Sequence, residues 1–128
     1  MRWFKMIGSL CLLLILLSGC GDKTALGYQS ISPEAAYEAL SAEEGNIILL
    51  DVRTQEEYAQ KHIPDSLLLP LDELDKQAET VLLDKDAVIY VYCRSGNRSK
   101  QAAELLVERG YTQVYDLGGI NNWPYETE

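Results

Sequence analysis

The sequence predicts an α/β fold built on a mainly parallel sheet. Three observations lead there. Apolar runs and helical patterns alternate along most of the chain, and that alternation is the signature of strand–helix–strand units. The runs "NIILLDV" (46–52) and "DAVIYVY" (86–92) are nearly continuous in apolar residues, as strands covered on both faces require. The second run leads, after a six-residue loop, into "SKQAAELLVERG" (99–110), the clearest helical pattern in the chain.

The elements follow in order. "SPEAAYEALSAEEG" (32–45) reads as a helix, with Ser32 as its cap, Pro33 at the first helical position and Gly45 as its stop. "NIILLDV" is a strand. "TQEEYAQK" (54–61) opens with Thr54 and carries Glu57 three residues later, the spacing of a capping box. "HIPDS" (62–66) is a loop, and "LLLPL" (67–71) a short strand broken by Pro70. "LDELDKQAETVLL" (71–83) is helical and "DAVIYVY" a strand rich in β-branched and aromatic residues. In the next helix Ala102, Leu105, Leu106 and Arg109 fall at i, i+3, i+4 and i+7, Ser99 is the expected cap and Gly110 the stop. "TQVYDL" (112–117) is a last strand, and "GGINNWPYETE" closes the chain.

Composition bounds the function. The chain's 128 residues suit one domain, and 47% hydrophobic residues can fill a core. A net charge of −9 argues against nucleic-acid binding, which needs a basic face. There is no histidine cluster, no cysteine pair and no Walker-type phosphate loop, so neither a metal nor a cofactor is expected.

The first twenty residues form a separate unit. Arg2 and Lys5 precede an apolar run, and small residues follow it, the layout of an export signal too short to span a bilayer comfortably. "LLSGC" (16–20) resembles the lipobox of bacterial lipoproteins. That resemblance implies a signal peptide over 1–19 and lipidation of Cys20. Residues 20–27 would then be a lipidated N-terminus and tether, and 28–128 the folded domain. The anchor would hold the domain at the outer face of the cytoplasmic membrane or in the periplasm. Cys11 leaves with the signal and Cys20 carries lipid, so Cys93 remains as a lone thiol in an oxidising compartment.

Cys93 sits where a central strand ends, the place where open α/β sheets put ligands. "CRSGNRS" (93–99) leads into the helix. Backbone amides of Gly96, Asn97 and Ser99, with the helix N-terminus, can line an anion nest. Gly96 fits a turn at positive φ. Arg94 and Arg98 add positive charge and are read as anion binders, and the Ser95 hydroxyl is a candidate contact. These terms favour a reactive thiolate.

Three segments together, "LLDVRTQEEYAQKHIPDS", "VIYVYCRSGNRS" and "LGGINNW", resemble a single-domain rhodanese, a sulfurtransferase family. The resemblance runs from about Tyr28 to Trp123. It implies a five-stranded parallel core with helices on both faces. It also implies that Cys93 accepts a sulfane sulfur from a small anion such as thiosulfate and passes it, as a persulfide, to cyanide or a thiol acceptor such as a thioredoxin-like protein. Asp51 and Arg53 are read as part of a buried or half-buried polar network, His62 as a residue holding its loop by backbone hydrogen bonds, and Trp123 as core packing. Lys61 and Asp65 stand where the family often has glycine. Cysteine phosphatases of a related fold place five residues between cysteine and arginine. Here four residues, Arg94 to Asn97, precede Arg98, and the smaller loop favours sulfur transfer. A cysteine protease would need a histidine base, and His62 is the only histidine. The alternative to a turning-over enzyme is a sulfur carrier that serves one partner protein.

Overall fold

The computed structural model describes residues 27–42 and 45–128. The proposed signal peptide, Cys20 and most of the tether lie outside them. Five strands form one sheet in the order β1-β5-β4-β2-β3, and every neighbouring pair is parallel. They are β1 (Gln29–Ser30), β2 (Ile47–Asp51), β3 (Leu67–Leu68), β4 (Val88–Cys93) and β5 (Gln113–Gly119). The helices are α1 (Pro33–Ser41), α2 (Gln55–Gln60), α3 (Leu71–Val81) and α4 (Asn97–Glu108), with a short 3-10 turn at Ile120–Asn122. Strand β1 has no counterpart among the sequence expectations, since two exposed residues carry no apolar pattern.

The local signals act as expected in most places. The Ser32 hydroxyl accepts from the Ala35 amide at 3.1 Å. Thr54 and Glu57 make both halves of the capping box. Pro70, expected inside a strand, is instead the N-cap of α3. Its fixed φ suits a helix entrance, and it has no N–H to give a ladder. Asp65 takes φ 64°, so it performs the left-handed turn that glycine commonly serves.

Two apolar layers cover the sheet. On one face Leu50, Ile89, Val91 and Cys93 join Leu74 and Ala78 of α3 and Ala102, Ala103 and Leu106 of α4. On the other, Leu49, Tyr90, Tyr92 and Leu117 join Ala36 of α1, Ile63 and Ile120. Trp123 packs against this second layer and meets Tyr37 and Tyr125 edge-on. Strand β4 is therefore covered on both sides, and its end is fixed by neighbours β2 and β5.

Two expectations for α4 need correction. Ser99 is not its cap: Gly96 is, at φ 110°, and the helix begins at Asn97. Ser99 lies in the first turn, is fully buried, and donates its hydroxyl proton to the Gly96 carbonyl at 3.0 Å. Glycine takes the cap because the chain must reverse sharply after β4, and only a residue without Cβ enters that conformation freely. Arg109 does not share the apolar face. It is the C-cap of α4, and its side chain pairs with Asp75 of α3.

Candidate active site

Strand β4 ends in Cys93, and parallel pairing leaves that end at the carboxyl edge of the sheet. Cys93 is 1% exposed and is the free cysteine among the described residues. Its Sγ accepts from the Gly96 amide at 3.0 Å. The carbonyls of the loop are turned away and used elsewhere. The Arg94 carbonyl accepts from Asn121 N–H at 3.2 Å, and the Gly96 carbonyl from Lys100 N–H at 3.3 Å. The first-turn amides of α4 have no intrahelical acceptor, and the Gly96 amide is the donor that meets the sulfur.

Gly119 explains why the loop holds its position. A Cβ there would meet the Arg94 carbonyl oxygen at 2.3 Å and Ser95 Cα at 2.8 Å. Strand β5 thus runs in direct backbone contact with the Cys93 loop. A register shift beside Val91 and Tyr92 brings Gly118 opposite Tyr92 and Gly119 opposite Cys93.

The cations around the loop differ in state. Arg98 donates to both carboxylate oxygens of Glu57, at 2.7 and 3.0 Å. This contact, foremost, holds the Glu57 carboxyl down to about 2 and raises Arg98. Arg53 is buried against fully buried Asp51, with Nη2 at 2.7 Å and Nε at 3.0 Å from its oxygens. Arg53 also donates to the Lys61 carbonyl at 2.8 Å, which ties the end of β2 to the end of α2. Beside it, buried Tyr92 accepts from Ile63 N–H at 3.1 Å and contacts the Ser66 hydroxyl at 3.0 Å. Burial raises the Tyr92 phenol.

Arg94 is exposed. With Arg53, Glu57, Gln60, Lys61 and Asn121 it lines a cavity of about 260 Å³ beside the loop. His62 does not line this cavity. Its ring stacks on Tyr58 with centroids 3.8 Å apart, and Nδ1 lies 2.9 Å from the Tyr58 carbonyl. Its backbone exchanges hydrogen bonds with Glu128 at 2.9 and 2.8 Å. Asp51 and Arg53 form a buried ion pair. Among the described residues no group of three His, Cys, Asp or Glu side chains could hold a metal. Glu57 and Gly119 are site residues that the sequence does not announce. Glu57 is legible as a cap, but its partner lies 41 residues away.

Residues 32–126 match the Rhodanese-like domain family. The chain belongs to the rhodanese-like family. It is 40% identical over 73 residues to Thiosulfate sulfurtransferase PspE of Escherichia coli, covering 57% of this chain and 70% of that one. It is 35% identical over 108 residues to YrkF of Bacillus subtilis, named as a candidate sulfur carrier protein, covering 84% of this chain and 57% of that one. Among solved structures, a rhodanese with anions from E. coli superposes with a TM-score of 0.61 at 35% identity. That match covers 65% of this chain and 98% of the other. The five-stranded parallel rhodanese fold implied by the sequence is the one observed.

Proposed function

We propose that this protein is a sulfurtransferase that carries sulfane sulfur on Cys93. One observation supports the reading above the rest: Sγ lies at the carboxyl end of the central strand, with the Gly96 amide aimed at it from 3.0 Å. The names of the relatives supply the substrate class.

The Cys93 thiolate attacks the outer sulfur of thiosulfate. An S–S bond forms to Sγ, the bond between the two thiosulfate sulfurs breaks, and its electron pair leaves with sulfite. The persulfide anion then occupies the space among the loop amides. Cyanide or a thiolate attacks the terminal sulfur and takes it as thiocyanate or a new persulfide, and the Cys93 thiolate returns with the electron pair of the broken bond. The amides of Ser95, Gly96, Asn97, Arg98 and Ser99 stabilise charge on sulfur, and the cationic side chains draw the donor in. Ser99 contributes through its backbone and its bond to Gly96, because its hydroxyl is already committed.

Export and anchoring complete the proposal. The lipobox-like "LLSGC" supports lipidation of Cys20, which would place the domain on the outer face of the cytoplasmic membrane or in the periplasm, near thiol acceptors of the thioredoxin type. A second reading, a carrier loaded for one partner, draws on the resemblance to YrkF.

The test is the intact mass of the protein before and after thiosulfate. Uptake of one sulfur atom is expected, reversed by cyanide and absent in Cys93→Ser. Equal uptake by Cys93→Ser would show that another group is the nucleophile. Catalytic thiocyanate release distinguishes the enzyme from the carrier, which would load once and stop.

A further inference from the structure

Among the described residues, three cationic side chains line the cavity beside the Cys93 loop, Arg53, Lys61 and Arg94, and a fourth, Arg98, stands in the first turn of α4. Two are neutralised in place. Arg53 is held by Asp51, with side chains 4% and 0% exposed. Arg98 is held in a two-point contact by Glu57, and Glu57 stays ionised at any working pH because Arg98 holds its carboxyl down to about 2. The field of Arg98 is thus spent largely on its partner.

Lys61 and Arg94 differ. Both are exposed, both line the same cavity, and among the described residues neither has an acidic partner. Their backbones are pinned. Lys61 N–H donates to the Glu57 carbonyl at 3.3 Å, and the Lys61 carbonyl accepts from Arg53 at 2.8 Å. The Arg94 carbonyl accepts from Asn121 N–H at 3.2 Å. Gln60 and Asn121 supply neutral polar groups to the same space, and the Glu57 carboxylate that also lines it is paired with Arg98. In a chain of net charge −9, a doubly charged anion gathers where two uncompensated cations face one cavity.

We infer that Lys61 determines specificity at this site: with Arg94 it seats the oxyanion end of a doubly charged sulfur donor, and Arg98 lies outside that seat. This rests on Cys93 being the sulfur acceptor, and the test keeps the two ideas apart. Sulfate is the probe, a dianion that cannot donate sulfur. Cys93 in the full chain is alkylated with iodoacetamide at rising sulfate, and the modified Cys93 peptide is followed by mass spectrometry. The midpoint of protection does not depend on the unprotected rate.

Sulfate should protect Cys93 in the wild type. Lys61→Gln and Arg94→Gln should each raise the midpoint about tenfold, as loss of one charge-assisted hydrogen bond implies. Lys61→Arg should restore it, and the double variant Glu57→Gln, Arg98→Gln, which removes the ion pair without leaving the Glu57 carboxylate unpaired beside the seat, should move it less than about threefold. The inference falls if sulfate fails to protect the wild type, if Lys61→Gln keeps the wild-type midpoint, or if the double variant Glu57→Gln, Arg98→Gln gives the largest shift. If sulfate protects through Lys61 but thiosulfate leaves no sulfur on Cys93, the seat stands and the sulfur-transfer reading fails. Sulfur uptake with a midpoint indifferent to Lys61 overturns the seat and leaves sulfur transfer standing.

Discussion

Gly119→Ala should disable sulfur uptake without dismantling the fold. The added Cβ would lie 2.3 Å from the Arg94 carbonyl oxygen and 2.8 Å from both the Arg94 carbonyl carbon and Ser95 Cα. All three are backbone atoms, so no side chain can swing aside. The Cys93 loop must retreat by about 1 Å, a displacement worth about a hundredfold in rate when it falls on reacting groups. The Gly96 amide that reaches Sγ belongs to that loop. Overpacking of this kind destabilises by about 1–3 kcal/mol, or roughly 5–20 °C in Tm for a domain of this size. Gly118→Ala is the comparison. Gly118 has φ 87°, and nothing lies within 4 Å of its added Cβ. That variant bears backbone strain of about 1–2 kcal/mol and leaves the loop in place. The assay is the rate of sulfur uptake from thiosulfate by intact mass, with thermal unfolding alongside. Gly119→Ala should be slower by about two orders of magnitude, and Gly118→Ala close to wild type. Uptake by Gly119→Ala within threefold of wild type would refute the claim that strand β5 sets the loop.

Three further outcomes are expected. Glu57→Gln keeps a capping side chain but loses the charge facing Arg98, and should destabilise by about 1–2 kcal/mol at neutral pH. Arg98 lowers the Glu57 carboxyl from 4.5 to about 2, so the stabilisation is complete above 4.5 and is lost as pH falls toward 2. Urea unfolding curves of wild type and variant should therefore converge through that window, and a constant gap down to pH 2 would contradict the ion pair. Arg53→Met strands the fully buried Asp51 charge and should destabilise by about 3–5 kcal/mol. The double variant Asp51→Asn, Arg53→Met should recover part of this, and additive losses would deny the coupling. Cys20→Ala should abolish labelling of the protein by a fatty-acid probe in cells, and persistent labelling would remove the lipid-anchor proposal.

By itself the sequence determined the order of the helices and of strands β2 to β5, most helix entrances and the position of Cys93 at a strand end. These rest on short-range signals. Ser32 and Thr54 cap helices within three residues, a buried strand shows as a continuous apolar run, and Gly96 announces a turn within its own backbone. Tertiary structure decided what depends on separation. Ser99 looks like a cap by composition, but the reversal after β4 places the cap at Gly96 and turns Ser99 inward. Glu57 reads as a local cap, and only the approach of α2 to the start of α4 makes it the partner of Arg98. Gly119 is one glycine among nine until strand β5 lies against Arg94. Which cations stay uncompensated follows from distances between elements far apart in the chain. Ion pairing falls off within a few ångströms, and the linear order of residues does not encode that spacing.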